Sequence, residues 1–399
     1  MLSISANGEI DRLMFASPSF WCICAALFIA VRLVPPQRLR LRAAALAAIS
    51  VAGIVLVLKP QPIQLALCAL AIAWVLAGLH FAGRGEGRRV LRTALLLVAP
   101  VLAIWATGKF GAANGSPAGV LFFVGSSFLL VKAFSLIKDR LEGKIAEVDP
   151  YVAAAYFLYF PAFLSGPMHD YGEFETALAR PEPAKHEAVG LVFRFVWGLF
   201  QVSVLAVYLD PASLTALVGA ATLHWQDVVV AAFFYSGVLY FNFSGYSDMV
   251  IAVSRGLGIE IPENFDRPYL APSIRDFWRR WHITFSRALT AHVFMPVSRA
   301  LTRALPGRRF LVPAIGYLAT FVFAGFWHGA TANFLLWGAW HALGLIAQDF
   351  AQKLRPRKPG LARSDSLAVR SVKTMATFVF VSLGWIFFVL PIDQLVKIR

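Results

Sequence analysis

The sequence predicts an all-α protein that crosses a membrane many times. Three observations predict it. Hydrophobic residues make up 58% of the 399 residues and charged residues 15%, against about 45–50% apolar and about 25% charged in soluble domains; mean hydropathy is +0.66. The apolar residues gather in runs close to the roughly 20 residues that a spanning helix needs. The cations fall between those runs, in short connections, as the positive-inside rule places them.

Taken in order, the runs are 15–34, 42–58, 62–82, 91–108, 118–137, 151–166, 188–208, 227–256, 310–327, 331–349 and 370–391. They predict ten or eleven transmembrane helices, with some short runs tilted, re-entrant or merged. The first lacks a basic leader and a small-residue cleavage site, so it is expected to stay as a helix. Basic clusters follow at Arg38, Arg40 and Arg42, then at Arg84, Arg88, Arg89 and Arg92, then at Lys138–Lys144. All three fall on one side if the amino terminus lies outside. Arg303, Arg308 and Arg309, with Lys353, Arg355, Arg357 and Lys358, supply two further cytoplasmic connections. The last run then leaves Lys397 and Arg399 outside, against the rule. Stretches 167–187 and 259–308 mix polar, basic and aromatic residues without a clean span, as interfacial or cavity-lining segments do. No internal repeat or long linker divides the chain, so residues 1–399 read as a single membrane domain of the cell (inner) membrane.

Composition excludes several classes. The net charge is +15, which in a soluble protein suggests a nucleic-acid partner; here the charge sits in membrane-flanking loops, and no nucleic acid is expected. Cys22, Cys24 and Cys68 lie in apolar runs, where a free cysteine packs as a small hydrophobe. No Cys or His partner stands at ligand spacing, so no metal is expected.

Three groups remain that lipid makes costly. Ser244 and Asp248 are four apart in the run 227–256 and share a helix face; Asp248 reads as an interhelical anchor ahead of a direct substrate role. In Asp276-Phe-Trp-Arg-Arg-Trp-His-Ile-Thr-Phe-Ser286, one helix would put Arg275, Arg279, His282 and Ser286 on one face and pair Asp276 with Arg280. That density is either an interfacial belt or a grip on a phosphate or thioester-linked donor, whose oxygens the Arg fork fits. The third group, Gly325-Phe-Trp-His-Gly-Ala-Thr-Ala-Asn333, lies at the far end of an apolar hairpin. His328 there can take a proton from a hydroxyl near neutral pH, although a lone histidine more often only packs.

Together the groups resemble a known family. Gly166-Pro-Met, Ser244-Gly-Tyr-Ser-Asp248, Pro262-Glu-Asn-Phe with Arg267-Pro-Tyr269, Asp276-Phe-Trp-Arg-Arg-Trp-His-Ile283 and Phe326-Trp-His-Gly329 occur in the order seen in the membrane-bound O-acyltransferases. The resemblance covers about residues 150–392 and looks most like the bacterial branch, which includes alginate O-acetyltransferases and the D-alanyl transfer proteins of teichoic acid modification. It implies helices around a central tunnel, with His328 as the essential histidine and His282 as the second. Trp278, Arg279, Arg280, Ser286, Trp327, Asn333, Ser244 and Asp248 are carried over as donor- or acceptor-binding candidates. Leu289-Thr-Ala-His292 and Met295-Pro-Val-Ser-Arg299 depart from the alginate type, and the acyl group stays open between D-alanyl and acetyl.

The resemblance implies acyl transfer from a cytoplasmic thioester (carrier-protein phosphopantetheine or acyl-CoA, as substrate rather than bound cofactor) to a hydroxyl of an envelope polymer outside. Besides the lipid bilayer, the partners expected are an acyl carrier protein at a basic surface around Arg299 and Arg303, and an extracytoplasmic acyl-relay protein. The competing class is a transporter or flippase, which predicts paired halves with matching broken helices. The sequence has no such symmetry.

Overall fold

The long apolar runs do form helices, because in lipid every backbone amide must find its partner within its own segment. The computed structural model describes residues 18–81, 88–122, 125–163, 166–180, 188–354 and 366–399. Arg84, the stretch 181–187 and the cluster Arg355, Arg357 and Lys358 lie outside the described residues. Among those described, seven helices are long and apolar enough to cross a membrane: Pro36–Leu58, Pro62–His80, Leu95–Ala113, Ala188–Ala212, Trp225–Gly256, Leu311–His328 and Leu367–Val389. No strand occurs among them, only a single bridge between Leu223 and Ile398.

The chain divides into two compact units. The first holds α1 (Pro18–Leu33), α2 (Leu39–Gly53), α3 (Pro62–Phe81), α4 (Arg88–Ala113), α5 (Ser126–Leu141), α6 (Pro150–Leu158) and α7 (Tyr171–Ala179). It also takes residues 188–199 of α8 (Ala188–Phe200) and the end of α9 (Trp225–Gly256). Pro150 opens α6 at its first position, where a missing N–H costs nothing, and the Asp149 carboxylate accepts from the amides of Tyr151 (2.9 Å) and Val152 (3.3 Å).

The run 151–166 does not make one span. Its α-helix stops at Leu158, Pro161 has no amide hydrogen to carry the ladder on, and the freed Phe160 amide donates to Ser50 Oγ at 3.2 Å. Likewise 118–137 opens with a 3-10 turn at Pro117–Leu121 and becomes α-helical only at Ser126. Arg42 also differs from its expected place in an exposed basic loop. It is 6% exposed, and its guanidinium donates to the carbonyls of Val31 (2.7 Å), Leu178 (2.9 Å) and Arg180 (3.1 Å). These are carbonyls that the ends of α1 and α7 leave unpaired.

Asp248, on α9, pairs with Arg194 on α8, with Nε–Oδ1 at 2.9 Å and an Nη2–Oδ1 contact of 2.7 Å. It is an interhelical anchor, as its depth in the apolar run requires. The other faces of α8 are apolar and open, with Val189 84% and Phe193 71% exposed, as a lipid-facing helix presents itself.

The second unit holds residues 200–245 and 263–399. In it α10 (Ile274–Arg280), α11 (Ile283–Leu289) and α12 (Met295–Ala304) precede the hairpin of α13 (Leu311–His328) and α14 (Ala332–Leu354), followed by α15 (Leu367–Val389). Ser244 Oγ lies 2.6 Å from the Tyr240 carbonyl, to which it donates, and 2.8 Å from the Gln201 carboxamide, so its hydroxyl is taken up in helix packing. The hairpin closes on glycine. A Cβ on Gly325 would lie 2.3 Å from the Phe334 carbonyl oxygen, and one on Gly338 2.2 Å from that of Phe321.

Candidate active site

The Trp-Arg-Arg-Trp-His segment is two short helices rather than one. Ser273 Oγ caps α10 by accepting the Asp276 amide at 3.1 Å, and Asp276 Oδ2 accepts from Arg280 Nε at 2.8 Å, the pair expected. The helix then ends. Trp281 is extended and His282 is left-handed at φ 43°, so the single face expected for Arg275, Arg279, His282 and Ser286 does not exist. The cause is the loop at 264–266. Asp266 N donates to the Arg280 carbonyl at 3.0 Å, Ile283 N donates to the Asn264 carbonyl at 2.9 Å, and the Thr284 amide goes to Asn264 Oδ1 at 3.3 Å. These bonds replace those a continuous helix would make.

The same loop sets the chemistry of His282. A backbone amide only donates, so the Thr284 bond fixes which atom of the Asn264 carboxamide is oxygen. That oxygen lies 3.1 Å from His282 Nδ1; Nδ1 must therefore carry the proton, and Nε2 keeps its lone pair. Burial holds the imidazole well below its ordinary value of 6.5, so the ring is neutral. Asn264 stands in the Pro262-Glu-Asn-Phe motif, but its role depends on a loop contact that sequence spacing does not reveal.

His328 ends α13. Gly329 follows in extended backbone, its amide closing on the Gly325 carbonyl at 3.0 Å. The imidazole is part-buried and walled by rings: Trp337 edge-on at 5.1 Å and 90°, Phe388 at 5.0 Å and Phe334 at 6.4 Å. Phe285 joins the two histidines, stacked on His282 at 5.0 Å and edge-on to His328 at 6.0 Å. The imidazoles are thus one phenyl ring apart, held by α11 and by the end of α13.

The membrane-bound O-acyltransferase family model matches residues 135–381, which takes in both histidines and the hairpin. The chain belongs to that family. It is similar to the teichoic acid D-alanyltransferase of Bacillus subtilis, 28% identical over 285 residues that cover 68% of this chain and 70% of the relative. It is also similar to the peptidoglycan O-acetyltransferase of Helicobacter pylori, 34% identical over 59% of this chain and 43% of that one. A third relative is the probable alginate O-acetylase AlgI of Pseudomonas fluorescens, 30% identical over 67% of this chain and 51% of its own length. The match thus spans about half the length of the last two.

In this O-acyltransferase the other candidate residues separate into two sets. Trp327, 3% exposed, packs on Phe285 at 5.4 Å, and Trp278 meets Trp337 edge-on at 5.9 Å, so both belong to the wall around the histidines. Arg279 points away, its side chain 76% exposed and 3.8 Å from Asp276. Arg280 is tied to Asp276 and lies 3.8 Å from Asp266. Ser286 Oγ donates to the Trp281 carbonyl at 3.1 Å, and Asn333 bonds Thr331 in the hairpin turn; both bonds are local. Asp248 belongs to the first unit and is engaged by Arg194. Among the described residues no group of His, Cys, Asp and Glu is placed to hold a metal.

Proposed function

We propose that this O-acyltransferase moves a D-alanyl or acetyl group from a cytoplasmic thioester to a hydroxyl of a cell-envelope glycan or polymer outside the inner membrane, with His328 as general base. The relatives' names support that substrate class. The observation that carries the role of His328 is its place: a part-accessible imidazole at the end of a helix long and apolar enough to span, walled by rings and one phenyl from a neutral histidine.

In the reaction His328 takes the proton of the acceptor hydroxyl, and the oxygen attacks the thioester carbonyl. The tetrahedral adduct collapses with cleavage of the carbon–sulfur bond, and the imidazolium returns its proton to the leaving thiolate. General base catalysis of this kind is worth about 100- to 10,000-fold. His282, with Nδ1–H committed to Asn264, offers only a lone pair at Nε2. That suits it to orient a hydroxyl or amide hydrogen rather than to stabilise an oxyanion, which needs donors.

The donor's carrier is proposed to dock at α12, which buries none of its residues and carries Arg299 and Arg303. A basic rim speeds encounter with an acidic carrier. An extracytoplasmic relay protein completes the proposed path to the polymer. The decisive measurement is transfer from a labelled thioester by purified protein. His328→Ala should lose at least about a hundredfold while still inserting and folding; full activity removes the proposal. Arg299→Glu with Arg303→Glu should abolish binding of the isolated carrier, and unchanged binding rejects the docking site.

A further inference from the structure

A third histidine stands behind this site. His341 is fully buried in α14, and neither of its ring nitrogens has a hydrogen-bond partner. It meets Trp278 edge-on at 5.0 Å and 87°, and Trp337 at 5.1 Å and 68°. The indole N–H groups of Trp337 and Trp278 are buried without partners as well. Leaving one such group unpaired costs about 1–3 kcal/mol, and a phenyl ring at 341 would fill nearly the same volume without that cost. Three adjoining rings therefore hold two fixed donors and one group able both to donate and to accept.

The position is as informative as the chemistry. His341 and Trp337 are four apart on α14 and share a face, and Trp337 is edge-on to His328. The unpartnered nitrogens thus begin one ring from the proposed base and continue along α14 toward Asp349. At that end Arg275 donates to Asp349 and to Tyr317 Oη.

We propose that His341, Trp337 and Trp278 form a binding subsite for an amide of the thioester donor's arm. The inference rests on the acyl-transfer reading above and deepens it. A pantetheine-type arm carries secondary amides, each with one N–H to give and one carbonyl to receive. The indoles donate to the carbonyl and the imidazole accepts the amide hydrogen. Trp278, the half-buried member of the three, turns aside to admit the arm. A buried water needs two to four polar partners and is the competing occupant.

The test is equilibrium binding of S-acetonyl-pantetheine, a thioether ketone with no S-acyl bond to cleave, to full-length detergent-solubilised His328→Ala protein. His341→Phe and Trp337→Phe in that background should each weaken binding about tenfold, equivalent to about 1.4 kcal/mol. His341→Gln, which keeps a donor and an acceptor, should stay within about threefold of the parent. In protein with His328 intact, His341→Phe should raise the KM for the thioester about tenfold with kcat near its original value. Binding by His341→Phe as tight as the parent's leaves a water or plain packing in the rings and overturns the subsite. Equal losses in the Phe and Gln variants, or no binding by the parent, overturn it too. If the analogue binds as expected but the intact enzyme transfers nothing from the thioester, the subsite stands and the acyl-transfer reading falls.

Discussion

At His282 backbone strain and proton placement have one origin. The left-handed conformation, which costs a non-glycine residue about 1–3 kcal/mol, directs the ring at the Asn264 oxygen, and that oxygen selects the tautomer. The neutral ring makes stability depend on pH. Above the ordinary value of 6.5 both folded and unfolded imidazoles are neutral, and the full stability is present. As pH falls below it, the unfolded ring binds a proton that the folded one refuses, so stability is lost progressively. His169, 4% exposed, shifts in the same direction through burial and through Lys132. The melting temperature of the purified protein should therefore fall on acidification below that value, and His282→Gln should flatten the fall without abolishing it. A pH-independent melt contradicts this account. His282 and His328 were legible in the sequence because each sits in a dense motif. His341 was not: it lies in an otherwise apolar run, and only the packed structure reveals that its nitrogens are bare.

Helices carry the site through two kinds of contact, close backbone approach and paired charge. Gly325→Ala would drive a methyl into the Phe334 carbonyl, part α13 from α14 and displace His328. It should cost about 1–3 kcal/mol and most of the transfer activity, read by thermal melt and turnover together. Retained activity would mean that the hairpin closure does not position the base. The Arg194–Asp248 pair calls for a double-mutant cycle. Arg194→Met and Asp248→Leu should each destabilise more than the two combined, because removing one partner strands the other charge in an apolar setting. Additive losses would show that the pair contributes packing only. Apolar runs with one uninterrupted register, such as 227–256 and 310–327, were readable as helices. The run 151–166 misled because hydrophobicity alone does not register where Pro161 stops the backbone ladder. The break at His282 was hidden for a similar reason, since it is made by a loop some 18 residues upstream.

For the whole molecule, the cations in the connections propose which side each one faces. In a Cys22→Ser background, chosen because Cys22 is the exposed natural cysteine while Cys24 and Cys68 are buried, a membrane-impermeant maleimide applied to intact cells should label Ala330→Cys. It should reach Arg308→Cys only after the membrane is opened; the reverse pattern inverts the proposed topology. Arg42 marks the limit of such counting, since a cation clamped onto carbonyls reports helix ends rather than a side. The Arg194–Asp248 pair also bears on how the chain is made. Arg194 leaves the ribosome 54 residues ahead of its counter-ion, so α8 has to wait with an uncompensated charge until α9 emerges. During that interval it is poorly suited to lipid, and the two helices should partition together. Insertion of this region is then a joint event of two segments, and a truncation between them should leave α8 outside the bilayer core.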